Sequence, residues 1–362
     1  AYANLALAKR LATAGLDTRD AGLVTELVSG TCRLMGTYDL VIEAASGRKL
    51  NTLQPAVVDL LRLGTHQLLG MRMKKYAAVT SSVELARSTV GQRVTGLVNA
   101  ILRKVSAKDL DGWLDQLTRK ADPIGALAIR GHHPRWIVEA YADLLPAEEV
   151  PAALAANNEA PQPTLVLRPG LAELANLDGA TPTRFSPFGA TTDGAPAEQA
   201  AVRDGRAGVQ DEGSQLMALL ALEAPLEGPD EVWLDMCAGP GGKAAILAAE
   251  ATRRGAHLIA NEVAEHRAEL VERAVAPSRD AVTVVAGDGR YIGEDNPGYF
   301  DRILLDAPCT GLGSLRRRPE SRRLEPRPGH GVQPHRVGLA HDEAHARNLR
   351  HRQRPHQIRR RR

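Results

Sequence analysis

The sequence predicts an α/β protein in two parts: an all-helical N-terminal region, then a region built on a parallel sheet. Three observations carry this. Residues 1–120 read as helical, with apolar residues recurring at helical spacing. From Glu231 onward, short apolar runs alternate with helical stretches, the pattern of strand–helix–strand units. A chain of 362 residues with 43% hydrophobic content has room for two or three domains with buried cores.

The helical part begins at Asn4 to Ala14, and Asp17 or Asp20 is placed to cap the helix that follows. Residues 21–44, 55–70, 77–90 and 94–106 continue the pattern, with Gly or Pro between them. Leu97, Val98, Ile101, Leu102 and Val105 form one apolar stripe, with Arg103 and Lys104 beside it. Cys32 falls in an apolar helical pattern, and it reads as core, as do Trp113, Trp136 and Trp233. Residues 121–163 are dominated by Pro, Ala and short breaks, with one helix opening at His132-His133-Pro134-Arg135-Trp136 and running to about Leu145. The two histidines lack carboxylate or thiol neighbours in sequence, so no metal is expected there. Thr164 to Arg168 reads as a strand, and small strands and loops are expected on to about residue 209.

Four apolar runs then follow: Val232-Trp233-Leu234-Asp235, His257-Leu258-Ile259-Ala260, Val282-Thr283-Val284-Val285 and Phe300 to Leu305. Helices are expected at about 243–253 and 264–275. Such alternation predicts a parallel sheet with right-handed crossovers. Ligands of these sheets bind beyond the carboxyl ends of the strands. The residues at those ends are Asp235 to Lys243, Asn261-Glu262, Gly287-Asp288-Gly289 and Asp306 to Cys309.

The turn Cys237-Ala238-Gly239-Pro240-Gly241-Gly242-Lys243 lets backbone approach a ligand closely, and the helix after it offers free N–H groups to a carboxylate or phosphate. Its spacing is neither G-x-G-x-x-G nor a P-loop, because Ala244 follows Lys243. Glu262 can accept from two ribose hydroxyls and Asp288 from an adenine amino group. Each acid alone is better explained as a loop cap. Together, at successive strand ends, they point to a nucleoside cofactor.

The net charge of +3 conceals a gradient. Residues 1–120 hold 17 Lys and Arg against 10 Asp and Glu, and residues 321–362 hold 12 Arg against 3 acids. A basic first domain suits a nucleic-acid partner, with positions 72, 74, 75, 103 and 104 as contact candidates; a solvated helical face explains the same charge. Three separated cysteines, Cys32, Cys237 and Cys309, support neither a disulfide framework nor a zinc site, and a reducing cytoplasm is expected. No apolar run is long enough to span a bilayer, so no membrane partner is expected.

Asp306-Ala307-Pro308-Cys309-Thr310-Gly311-Leu312-Gly313, with Cys237 to Lys243 upstream, resembles the RNA cytosine-5 methyltransferases, in particular the Sun/Fmu (RsmB) branch that methylates 16S ribosomal RNA. That branch starts with a NusB-like helical domain, which Asp20 to Arg33 and Val98 to Arg103 resemble. The resemblance covers about residues 1–322. It implies a NusB-like RNA-binding domain at 1–125, a linker and small α+β subdomain at 126–225, and a Rossmann-like methyltransferase core, here truncated, at 226–322. It also implies S-adenosyl-L-methionine held by Cys237 through Lys243, Glu262, Asp288 and Asp306. The partner implied is small-subunit ribosomal RNA, and a monomer is expected.

In that family a thiolate adds to C6 of cytosine, C5 takes the methyl group from the sulfonium, and loss of the C5 proton expels the thiol. The target base must leave its stack. By resemblance Cys309 assists product release, while Asp306 touches cofactor and base. The attacking cysteine belongs to a later Thr-Cys motif, and no cysteine follows Cys309 in this chain. Residues 323–362 are Arg-, His- and Pro-rich, without apolar periodicity, and are expected to be disordered. They read as a shift of reading frame near Arg322–Leu324, with a genuine basic RNA-binding tail as the alternative. A non-catalytic RNA-binding protein that keeps a cofactor pocket is the competing function.

Overall fold

A computed structural model of the chain describes residues 3–71, 73–307 and 312–323. Contacts divide it into two compact units, one of residues up to 161 together with 312–323, the other of residues 162–307.

The first unit is helical: α1 (Ala3–Ala14), α2 (Thr18–Ser46), α3 (Pro55–Thr65), α4 (Lys75–Thr89), α5 (Gln92–Val105), α6 (Leu110–Thr118), α7 (Pro123–Arg130), α8 (Arg135–Ala142) and α9 (Val150–Asn158). Aspartates start three of these helices by accepting a backbone N–H three residues on. Asp17 caps α2, Asp109 caps α6 and Asp122 caps α7. The stripe on α5 lies in the core, where Val98, Ile101, Leu102 and Val105 meet Tyr38, Ile42 and Leu61. A smaller cluster of Ala128, Val138, Val150 and Leu154 holds α7 to α9. Trp113 and Trp233 are buried as expected, whereas Trp136 and Cys32 are only half-buried. Lys74, Lys75, Arg103 and Lys104 are exposed; Arg72 lies outside the described residues.

The expected helix at 55–70 is divided. After Thr65 the backbone widens into a π-turn, His66–Gly70. The buried His66 ring receives Tyr38 Oη at 2.9 Å, and glycines at 30 and 70 leave room for it. Helices α7 and α9 went unread in the sequence, and α6 fell within the region read as helical without bounds of its own. Pro123 and Pro151 sit in the first turn of their helices, where proline is tolerated because its missing N–H has no intrahelical acceptor.

The second unit carries two sheets. Strands β1 (Thr164–Leu167), β2 (Thr181–Pro182), β3 (Gly189–Thr191) and β4 (Ala207–Val209) form an antiparallel sheet in the order β2-β3-β1-β4. Two helices, α10 (Ala200–Arg203) and α11 (Glu212–Glu223), flank β4 in sequence. The later strands are β5 (Val232–Asp235), β6 (His257–Glu262), β7 (Val282–Ala286) and β8 (Arg302–Leu304), with α12 (Gly242–Arg254) and α13 (Glu265–Val275) between them. They form a parallel sheet in the order β7-β6-β5-β8. The core joins Trp233 and Leu258 to Ile246, Leu247 and Val271 from the helices. At the β8 edge Ile303 and Leu305 are exposed, as are Met217 and Leu220 on α11. The Pro-Cys segment with Cys309, and the tail from Leu324, lie outside the described residues.

Candidate active site at the carboxyl edge of the parallel sheet

Register fixes which residues meet. Asp235 pairs with Ala260 on β6 and Leu304 on β8, and Glu262 pairs with Ala286 on β7. The last residues of β5 and β6 and the first after β7 and β8 therefore share one edge. The turn from β5 into α12 is sewn to β6 by Ala238 N–H donating to Asn261 O (2.8 Å) and Asn261 Nδ2 donating to Met236 O (2.9 Å).

Glu262 sits at the centre of that seam, 3% exposed. Its Oε2 accepts the Gly239 N–H at 3.1 Å, and its Oε1 accepts the Ala264 N–H at 3.1 Å. Arg267 on α13 reaches from the other side, 3.6 Å from Glu262 Oε2, and donates to Gly239 O at 2.5 Å. Each carboxylate oxygen still keeps a lone pair for a ligand. Two glycines are obligatory here. A Cβ on Gly239 would stand 2.2 Å from Glu262 Oε2, and one on Gly241 would stand 2.5 Å from Ala274 Cβ with φ at +107°. Pro240 follows Gly239 through a cis peptide. Gly242 opens α12 beside the buried Gln210, whose Oε1 has no partner.

Asp235 is a site residue to which the sequence reading gave no role. It is 1% exposed, and neither carboxylate oxygen has a hydrogen-bond partner. Burial pushes its carboxyl up to about 7, opposed by the Lys243 charge and by the Cys237 N–H, which points toward it without closing a full hydrogen bond. The available signal was its place: an acid ending an apolar strand, in line with Glu262. Arg267 gave no signal, because it is one of several charged residues in the first turns of α13. Burial, with Asp235 and Glu262 nearby, raises the Cys237 thiol, which keeps it protonated and a poor nucleophile.

The outer rim differs. Asp306 is half-exposed and pairs with Lys243 Nζ at 2.5 Å. Asp288 is held to Arg290 at 2.5 Å and also caps the Arg290 N–H, which draws its carboxyl down to about 2. The structure thus brings Cys237 to Lys243, Glu262, Asp288 and Asp306 to one sheet edge and adds Asp235, Gln210 and Arg267. Among the described residues no group of three His, Cys, Asp or Glu stands close enough to hold a metal, and no helix is long and apolar enough to cross a membrane.

The 16S rRNA methyltransferase RsmB/F family model matches residues 221–328, and the NusB family model matches residues 1–107. A Mycobacterium tuberculosis protein described as a methyltransferase is 46% identical over 330 residues, covering 89% of this chain and 71% of that one. The ribosomal RNA small subunit methyltransferase B of Vibrio cholerae is 31% identical over 324 residues, covering 83% and 69%.

The chain belongs to the RsmB/F family of methyltransferases.

The fold agrees. The crystal structure of PH0851 superposes with a TM-score of 0.68 at 20% identity, covering 86% of this chain and 71% of that one. The expectation of a NusB-like helical region followed by a Rossmann-like methyltransferase region holds for this RsmB/F member.

Proposed function

We propose that the chain binds S-adenosylmethionine at the carboxyl edge of β5, β6 and β7 and serves the methylation of cytosine C5 in small-subunit ribosomal RNA, in the cytoplasm. The single observation that carries the cofactor reading is Asp235, a buried carboxyl with no partner at the mouth of a glycine turn. Such a group calls for a cationic donor, and the ammonium of the methionine moiety is one. The cofactor supplies an electrophilic methyl group. Glu262 keeps lone pairs for the ribose hydroxyls, the N-terminus of α12 faces the carboxylate, and Asp288 stands at the adenine end. Lys243 holds Asp306 at the rim, where the base would enter.

The RNA reading rests on the family and on relatives whose names specify small-subunit ribosomal RNA, with the basic helices at 1–120 as the contact surface. Cys309 takes the product-release role by resemblance. The attacking thiol of the family chemistry has no counterpart in this sequence beyond Cys309, and Cys237 is ill suited because its proton is held. An RNA-binding protein that keeps the cofactor pocket is the competing reading.

Calorimetric titration with S-adenosylhomocysteine and with NAD tests the site: saturable binding of the first alone is expected, and binding of NAD alone would refute it. Methyl transfer to 16S ribosomal RNA, measured beside Cys309→Ala, tests the chemistry. Strong turnover that Cys309→Ala abolishes would make Cys309 the nucleophile and overturn the assignment.

A further inference from the structure

The helical unit holds a cavity of about 380 Å³ that the cofactor site does not use. Its wall comes from α2, from the α7–α8 corner and from Arg322. Part of the wall is apolar, with Met35, Leu40, Ala128 and Ile129; the rest carries Arg33, Arg322, His132 and His133. Both guanidinium groups are more than nine-tenths buried, Arg33 at 8% exposure and Arg322 at 3%.

Their situations differ. Arg322 donates to Arg33 O at 3.0 Å, His132 O at 3.1 Å, Asn158 Oδ1 at 2.8 Å and Asn157 O at 2.7 Å. It is a clamp on carbonyls. The Arg33 guanidinium has no acceptor and no carboxylate partner among the described residues, and its Nε is buried without one. His133 Nδ1 meets Gly131 O at 2.5 Å, which leaves Nε2 buried as an unpartnered acceptor. A buried charge without a counter-ion, beside a second charge of the same sign, is unfavourable unless an anion completes it.

We propose that this cavity binds a phosphoryl group, with Arg33 as its principal donor and the apolar wall taking what the phosphoryl group carries. His133 Nε2 offers an acceptor to a hydroxyl of the same ligand, so a nucleotide fits the full set. The phosphoryl group comes either from a free nucleotide or from an RNA strand.

Thermal unfolding of the full chain in phosphate-free buffer tests this, with inorganic phosphate, AMP and adenosine at matched ionic strength. Phosphate and AMP are expected to raise Tm and adenosine is not. Arg33→Gln is expected to remove the shift and to weaken AMP binding about tenfold or more, the effect of losing a charge-assisted hydrogen bond. The same variant, without ligand, should unfold at the same temperature or higher, because an unpaired buried charge has gone. A residue that only braces the helices would lower it. Tighter binding of AMP than of a five-nucleotide RNA assigns a free nucleotide, and the reverse assigns a strand. No saturable shift with phosphate or AMP, or a shift that survives Arg33→Gln, overturns the proposal. Should Arg33→Gln not fold, Arg33→Lys keeps the charge but loses the fork, and unchanged AMP affinity in it would be equally fatal. S-Adenosylhomocysteine titration of these variants stays at the wild-type value, so this inference and the cofactor reading fail separately.

Discussion

The deep and shallow ends of the candidate site are built from the same residue type and behave oppositely. At the deep end Asp235 and Glu262 are out of solvent, one unpartnered and one bonded to two backbone amides. At the rim Asp288 and Asp306 are accessible and each is already paired with a cation. Burial without a partner pushes Asp235 up, while the Arg290 contact pulls Asp288 down. The difference assigns different tasks. The deep acids shape and charge the pocket, and removing them changes the fold or the ligand's electrostatics. The rim acids adjust contacts in water, where solvent screening leaves an ion pair little stabilising effect.

The sharpest way to break that contrast is at the deep seam. Glu262→Ala leaves the Gly239 and Ala264 amides and Arg267 without their acceptor. A loss of about 3 kcal/mol in urea unfolding is expected, together with loss of detectable S-adenosylhomocysteine binding. Gly241→Ala forces a Cβ into Ala274 at positive φ, and about 2 kcal/mol or more of destabilisation is expected. Equal stability of either variant with the wild type would remove the seam from the account.

Asp235→Asn sharpens the contrast through pH. The folded carboxyl keeps its proton up to about 7 and the unfolded one releases it near the usual ~4. Between those values the folded state binds more protons, so this group's contribution to stability falls as pH rises across the window. His132 and His133, lowered by burial to about 4, run the other way between about 4 and 6.5. The readout is therefore the difference between wild type and Asp235→Asn, which should grow in favour of the variant from pH 5 to pH 7.5 in chemical denaturation. A constant difference would mean that Asp235 is ionised throughout.

Asp288→Ala is the smallest expected effect. Its carboxylate is paired locally with Arg290 in the solvent, so the denaturation midpoint should stay at the wild-type value, with at most about a tenfold loss in cofactor affinity. A lowered midpoint would place Asp288 with the deep acids.

The same contrast marks what the sequence could reveal. Apolar runs ending in acids located β5, β6 and β7 to within a residue or two: β5 and β6 are buried along nearly their whole length and read as continuous apolar runs, and the part-buried edge strand β7 keeps β-branched residues. They also placed Glu262 and Asp288. Partnership was not legible. Nothing near Glu262 in sequence announces Arg267 as its neighbour across the turn, and nothing near Asp235 announces that its oxygens stay unpaired. Helices α7 and α9 are eight and nine residues long, too short for periodicity to stand out, and the prolines in their first turns read as breaks.

The most direct test of the cofactor site is calorimetric titration of S-adenosylhomocysteine from about pH 5.5 to pH 8, in wild type and Asp235→Asn. The ligand's ammonium stays charged over that range, and Asp235 must be ionised to receive it. Wild-type affinity should rise about tenfold per pH unit up to about 7 and then level off, while Asp235→Asn binds weakly with a flat profile. A wild-type profile that is flat and matched by Asp235→Asn in both affinity and slope would contradict the assignment of Asp235 to the cofactor and with it the site built around that residue.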